Sequence, residues 1–277
     1  MCELLAMSAR FPTNLRLSFD ELARHGGETG PHADGWGLAL WHDGDASILR
    51  EPDAASRSPW VEFLREREPK TSIALAHVRR ATQGPRALRN TQPLARELGG
   101  RLHVFAHNGM LPGIEADPRF VLHRFGRIGD TDSEYAFCAL LERLAPLWAS
   151  GIPPLADRLR VVRAFAAELR SLGPANFIYT DGDVILAHAH RRRDESGEIR
   201  PPGLHLLCRT CSMAPSEVPE LTGVAIDREE RQHVALIASV PLSKEHWEPL
   251  AEGELVVLRD GRVIERIAPS GEVASAA

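Results

Sequence analysis

The chain has 277 residues, 43% of them hydrophobic, with 33 Lys and Arg against 38 Asp and Glu for a formal charge of −5. That is enough apolar material for a sizeable core, and the mildly acidic balance argues against a nucleic-acid-binding surface as the main business. No apolar run approaches the roughly 20 residues of a membrane span, and the opening MCELLAMSARFPTN lacks the features of a secretory signal, so a cytoplasmic protein is expected.

Cys2 stands directly behind Met1. Once Met1 is removed, one residue carries both a thiol, with a pKa near ~8.5, and a free amine, near ~8. Such a residue acts as nucleophile with its own amine as base, directly or through a water. The ordinary alternative is a small residue that happens to be cysteine. Farther on, Ser18 with Glu21 forms a capping box that opens a helix ended by Gly26-Gly27. Residues 36–41 and 46–49 read as strands joined at the turn HDGD. Ser58-Pro59 starts a short helix through Arg67, and residues 72–78 and 102–106 read as strands. Thr131 with Glu134 caps a longer helix toward Trp148.

Leu155, Leu159, Val162, Phe165, Leu169 and Leu172 recur at helical spacing until Gly173-Pro174. Residues 176–180 and 184–189 flank the hairpin signal Asp181-Gly182. Strands at 204–207 and 233–239 and a hairpin around Asp260-Gly261 complete a strand-rich second half. With no internal repeat, low-complexity tract or interdomain linker, these elements predict a layered α+β fold in one domain.

Some chemistry-bearing residues have structural explanations. Four cysteines, at 2, 138, 208 and 211, are too few for a disulfide framework. Cys208 and Cys211 match C-x-x-C, but no second such pair exists and the nearest histidine is His205. Cys138 falls inside a predicted helix as a small hydrophobe. His188 and His190 face one side of a strand without a third ligand, so no metal or cofactor is expected. His32 and Asp34 in PHADGWG read as shaping a loop. The run Arg191, Arg192, Arg193 is offset by Asp194, Glu195 and Glu198, which suits a solvated loop. Neither a P-loop nor a dinucleotide fingerprint is present.

Four segments differ from this background: Met1-Cys2, HVRRATQG at 77–84, His107-Asn108-Gly109, and Thr131-Asp132-Ser133-Glu134. Singly, each has a plain explanation. Arg79 suits a surface charge past a strand, Asn108-Gly109 a turn, and Asp132 a first-turn acid favoured by the helix dipole. In this order they resemble the glutaminase domain of class II, N-terminal-nucleophile glutamine amidotransferases. GGETGPHADGWGLALW, Asn90-Thr91-Gln92-Pro93, NFIYTDGD and ASVPLSKEHWEPLAEGELVV resemble the stand-alone YafJ-type branch, so the likeness covers nearly the whole chain.

The resemblance implies a four-layer αββα sandwich over residues 2–277, with Met1 removed and Cys2 ending a central strand. It implies that Cys2 attacks the glutamine side-chain amide and releases ammonia through a thioester. The Asn108 amide and the Gly109 N–H would stabilise the oxyanion, with glycine at 109 allowing close approach and an unusual φ. Arg79 and Thr82 would bind the α-carboxylate. Asp132, helped by a carbonyl near Gly109, would accept from the α-ammonium. Gln83 stands where some relatives have His, and Arg80 where some have an aromatic. His77 and His107 are expected to be hydrogen-bonded structural residues. No synthase domain of adequate length follows, which implies a separate ammonia-accepting synthase or another γ-glutamyl amide as substrate. A non-catalytic glutamine-binding regulatory module is the alternative of a different class.

Overall fold

Alternation along the strands decides how this chain layers. The computed structural model describes residues 1–194, 196–212, 231–269 and 273–274, with Leu17, Cys211, Ser212, Val273 and Ala274 described by backbone alone. β1 (Glu3–Thr13) is followed by α1 (Arg16–His25), β2 (Trp36–His42) and β3 (Asp45–Glu51). Next come α2 (Pro59–Arg67), β4 (Thr71–Val78), β5 (Leu94–Leu98) and β6 (Arg101–Gly109). Two long helices, α3 (Asp132–Trp148) and α4 (Leu155–Arg170), lead into β7 (Ala175–Thr180) and β8 (Ile185–His188). A small hairpin, β9 (Arg192–Arg193) and β10 (Ile199–Arg200), precedes β11 (His205–Ser212), β12 (Arg231–Ala238) and β13 (Glu248–Pro249). β14 (Leu255–Arg259), β15 (Arg262–Ile267) and β16 (Val273–Ala274) close the described chain.

One seven-stranded sheet runs β13-β11-β12-β1-β4-β2-β3, and a second runs β16-β15-β14-β8-β7-β6-β5. In both, neighbouring strands pair antiparallel. Successive side chains point to opposite faces of a strand, so β1 feeds two cores. Leu5 and Met7 pack with Phe19, Leu22, Val61 and Leu64 of α1 and α2. Leu4 and Ala6 pack with Val104, Ala106, Ile178 and Ala187 of the second sheet. The outer face of that sheet carries Phe105, Phe177 and Tyr179 against Phe137, Leu141, Val162 and Phe165 of α3 and α4. Three cores between four layers make the αββα sandwich.

The helix starts differ in how they are built. Ser58 accepts from Trp60 N, and Thr131 accepts from Glu134 N at 3.2 Å, as the sequence predicts. The reciprocal half of the Thr131 box is absent, because Glu134 turns to Ile128 N, Gly129 N and Arg96. At α1 the predicted Ser18 cap is wrong. The helix starts at Arg16 behind Leu15, without a side-chain cap. Leu15, Phe19, Leu22 and Ala23 are all buried in one core, so tertiary packing rather than capping chemistry sets this start. The Asp260-Gly261 turn has φ of 51° and 72°, the paired positive angles of a tight hairpin.

Arg158 of α4 ties the helix layer to the β7–β8 turn. It donates to Asp181 at 2.6 Å and to Asp183 at 2.8 Å, with Arg158 and Asp181 both buried. Arg158→Leu leaves Asp181 as an unpaired buried carboxylate. Denaturant unfolding should show a loss of about 3–5 kcal/mol, largely restored by adding Asp181→Asn.

Candidate active site

Cys2 immediately precedes β1, the fourth of seven strands in its sheet. It is half-buried, and its Sγ sits against the backbone of Arg80, 3.4 Å from N and 3.5 Å from O. β4 reaches the same end of the sheet because Glu3 pairs with Val78 and Leu4 with His77. Burial pushes the Cys2 thiol up, against the lowering effects of the Arg80 hydrogen bond, the chain-terminal ammonium and Arg79. Burial also lowers the amine of Met1, with Arg80, Arg192 and Arg193 adding to the effect and Cys2 opposing it. The surroundings of Cys2 therefore favour the thiol over a preformed thiolate.

Arg79 follows β4 and is 3% exposed. It does not present an open fork. Its Nη atoms donate to the carbonyls of Asp34 (3.5 Å), Pro85 (3.2 Å), Gln83 (2.9 Å) and Gly84 (3.2 Å). A buried cation needs partners, and the loop at 81–85 folds back to supply carbonyls in place of a carboxylate. Asp34 holds the base of that loop, accepting from Ala81 N at 2.8 Å. Thr82 is exposed on the same loop.

Asn108 and Gly109 end β6, and Asn108 is fully buried. Its Nδ2 donates to Ser239 Oγ at 3.2 Å, while its Oδ1 has no partner among the described residues. Ser239 Oγ also accepts from Leu4 N at 3.1 Å, so its own proton needs an acceptor. Turning the Asn108 amide by 180° gives the Ser239 proton an acceptor in Oδ1 and makes Nδ2, a donor, the unpartnered end of the amide. Either way, one serine couples Asn108 to the strand that carries Cys2. Gly109 tolerates no Cβ, which would lie 1.8 Å from the Pro174 carbonyl oxygen. Its φ is outside the left-handed region, so close approach explains the glycine and the expected unusual φ does not.

Asp132 is the first residue of α3. Its carboxylate accepts from Leu111 N at 2.8 Å and Ser133 N at 2.7 Å, while its own N–H donates to Gln83 Oε1 at 3.2 Å. It thus joins the 108–111 turn to the Arg79 loop, close enough to Cys2 to raise the thiol electrostatically. Cys2, Arg79, Asn108, Gly109 and Asp132 gather at one end of the sandwich, and Thr82 is exposed on the loop that wraps Arg79. Sequence reasoning missed the supports. Gln92 brackets the backbone of His107 with two hydrogen bonds. Asn176 donates to the carbonyls of Asn108 and Arg191 and accepts from His190 N. A polar residue at a strand end, as Asn176 and Ser239 are, was the available signal.

His107 is hydrogen-bonded as expected, Nδ1 lying 2.9 Å from Ser133 Oγ. His77 is not, for neither ring nitrogen has a partner among the described residues, and burial lowers its pKa to about 3. Both ring nitrogens of His188 have protein partners, Ala175 O and Arg170, while His190 meets Ala175 N and Glu252. Cys138 and Cys208 carry free thiols, and the Cys211 thiol lies outside the described residues.

A family model for class II glutamine amidotransferases matches residues 1–277. YafJ of Escherichia coli (strain K12), named as a glutamine amidotransferase, is 34% identical over 261 residues, covering 92% of this chain and 96% of YafJ. A similarly named Haemophilus influenzae protein is 31% identical over 272 residues, covering 96% of this chain and 87% of that one. A crystal structure described as a predicted glutamine amidotransferase from Pseudomonas aeruginosa PA01 aligns with TM-score 0.65 at 27% identity, covering 95% of this chain and 99% of that one. The glutamine phosphoribosylpyrophosphate amidotransferase of B. subtilis shares the fold, with TM-score 0.54 at 15% identity over 95% of this chain and 48% of that one.

Ser239→Ala strands the buried Leu4 N–H and removes the tether on Asn108. Thermal or denaturant melts should register about 1–3 kcal/mol of lost stability. Gly109→Ala should be worse, because backbone rather than a flexible side chain blocks the methyl group; native-like stability in that variant would contradict the close approach.

Proposed function

The chain belongs to the class II glutamine amidotransferases, and from that premise we propose that it hydrolyses the side-chain amide of glutamine through Cys2. The observation that carries this reading is the convergence of a thiol at position 2, a buried guanidinium, a buried amide and a helix-start carboxylate at one end of the sandwich. Met1 is removed, leaving residues 2–277 as one cytoplasmic amidotransferase domain. The Cys2 amine takes the thiol proton as Sγ bonds to the amide carbon of the substrate. Asn108 Nδ2, in the turned amide, and the Gly109 N–H carry the oxyanion. The carbon–nitrogen bond then breaks, the ammonium proton leaves with the departing nitrogen as ammonia, and a glutamyl thioester remains. Water, deprotonated by the same amine, cleaves the thioester to glutamate and restores the thiol.

Arg79 pairs with the substrate α-carboxylate, and Asp132 with the α-ammonium. Both Asp132 oxygens keep acceptor capacity beyond their backbone bonds. Binding at Arg79 requires the loop at 81–85 to yield some of its carbonyls. Substrate arrival is thereby coupled to a rearrangement that also brings Thr82 toward the carboxylate. The ammonia passes to a separate synthase.

A second reading, hydrolysis of a larger γ-glutamyl amide, is favoured by the cations around the Met1 amine, Arg80, Arg192 and Arg193, which border the place that Met1 leaves. A group attached to the leaving nitrogen in that place would lie among these arginines.

Cys2→Ala should abolish glutamate release while glutamine still binds, as read by a coupled glutamate assay beside calorimetry. If parent and variant bind glutamine equally and neither releases glutamate, the chain is a binding module instead. Arg79→Ala should raise the KM for glutamine about tenfold to a hundredfold, as expected for losing a charged hydrogen-bond pair. An unchanged KM would remove Arg79 from the carboxylate site.

A further inference from the structure

His32 lies in the loop before β2, is 6% exposed, and has no part in the reaction described above. Its Nε2 is 2.8 Å from the Met1 carbonyl oxygen, and its Nδ1 is 3.2 Å from the His25 carbonyl oxygen. Two acceptors thus face two ring nitrogens, yet a neutral imidazole owns a single N–H. Burial lowers the His32 pKa, and the neighbouring charge is already matched. Burial pushes the Glu3 carboxyl up, but the His25 hydrogen bond, with His32 and Arg192, holds it below its ordinary value. That hydrogen bond is 2.7 Å long and raises His25, which makes His25 the natural cationic partner of Glu3.

Removal of Met1 changes what His32 meets. The Met1 carbonyl goes with the residue, and the His25 carbonyl remains to fix the ring as the Nδ1–H tautomer. Nε2 then becomes an acceptor. Within one peptide unit the carbonyl oxygen and the amide nitrogen lie about 2.3 Å apart. The Cys2 nitrogen is therefore no more than roughly 5 Å from Nε2, within reach directly or through one water.

We propose that His32 is a positioning residue for the mature N-terminus, accepting a hydrogen from the Cys2 α-amine and leaving the amine's lone pair for the thiol proton. The inference rests on the reading of Cys2 as residue one of the mature protein. The groups facing His32 come from several elements. Glu3 of β1 lies 3.9 Å from Nε2, His25 of α1 lies beyond Glu3, and Arg192 of β9 reaches Glu3 at 3.6 Å. His77 of β4 interacts with His32 electrostatically. The amine of Met1, which leaves with that residue, faces Arg80, Arg192 and Arg193. An acceptor on the charged amine favours the ammonium form, so losing it moves the amine's titration to lower pH.

The test compares Met1-free parent, His32→Leu and His32→Gln. For glutamine hydrolysis, His32→Leu should lower kcat at least about tenfold, the scale of a disturbed general base, with KM unchanged. The acid limb of kcat/KM should move to lower pH. The glutamine variant, which restores an acceptor oxygen, should recover part of both effects. An unchanged kcat and acid limb in His32→Leu would overturn the proposal. The pH dependence of Cys2 alkylation by iodoacetamide reads the thiolate, and through its coupling the amine, without turnover. A shifted profile there supports the proposal even if no glutamate is released, and an unshifted one overturns it even if hydrolysis is robust. Failure of the hydrolase reading and failure of this one are thus separable. Should the leucine variant not fold, the glutamine variant is judged on the same two profiles.

Discussion

Burial of β1 on both faces is the constraint on which the rest of the molecule depends. Its residues alternate between the helix-covered core, through Leu5 and Met7, and the core between the sheets, through Leu4 and Ala6. A slip of one residue would exchange those two sets at once, so the register of β1 is strongly fixed. Cys2 lies directly ahead of this strand and inherits its position. The strands on either side carry the rest: β4 delivers Arg79 and the Arg80 backbone, and Ser239, just past β12, holds Leu4 and Asn108.

The polar groups at this end of the sandwich are connected rather than merely adjacent. Asp132 bonds the 108–111 turn and, through Gln83, the loop that wraps Arg79. That loop is the part of the site with room to change, since it is exposed and supplies neutral carbonyls to a buried cation. A carboxylate is a stronger partner for a guanidinium than those carbonyls. In the proposed reaction, substrate binding at Arg79 exchanges these internal partners for a carboxylate.

Much of this was legible in the sequence, because the informative signals were local. The Asp260-Gly261 turn, the Ser58-Pro59 start and the Thr131 cap each depend on a few adjacent residues, and each is present. The Ser18 cap failed because burial of Leu15 and Phe19, a tertiary effect, overrode a valid local pattern. Residue pattern alone left β1 and β5 (Leu94–Leu98) unassigned, β1 because a run buried on both faces shows little alternation, and only the resemblance implied a central strand at Cys2. In the site, the order of motifs singled out Cys2, Arg79, Asn108, Gly109 and Asp132, which the fold brings to one end of the sandwich. It carried no hint that Arg79 would be occupied by its own loop, or that Ser239, 131 residues beyond Asn108, would share a hydrogen bond with it. Contacts at that separation leave no local trace.

The central claim is that Cys2 is both the mature N-terminus and the nucleophile. Peptide mass spectrometry of the protein, after reaction with a glutamine-shaped electrophile bearing its reactive carbon at the side-chain amide position, tests it most directly. The account predicts an N-terminal peptide that lacks Met1 and carries the label on Cys2. A protein that hydrolyses glutamine while retaining Met1, or that takes the label on Cys138 or Cys208 instead, would contradict it.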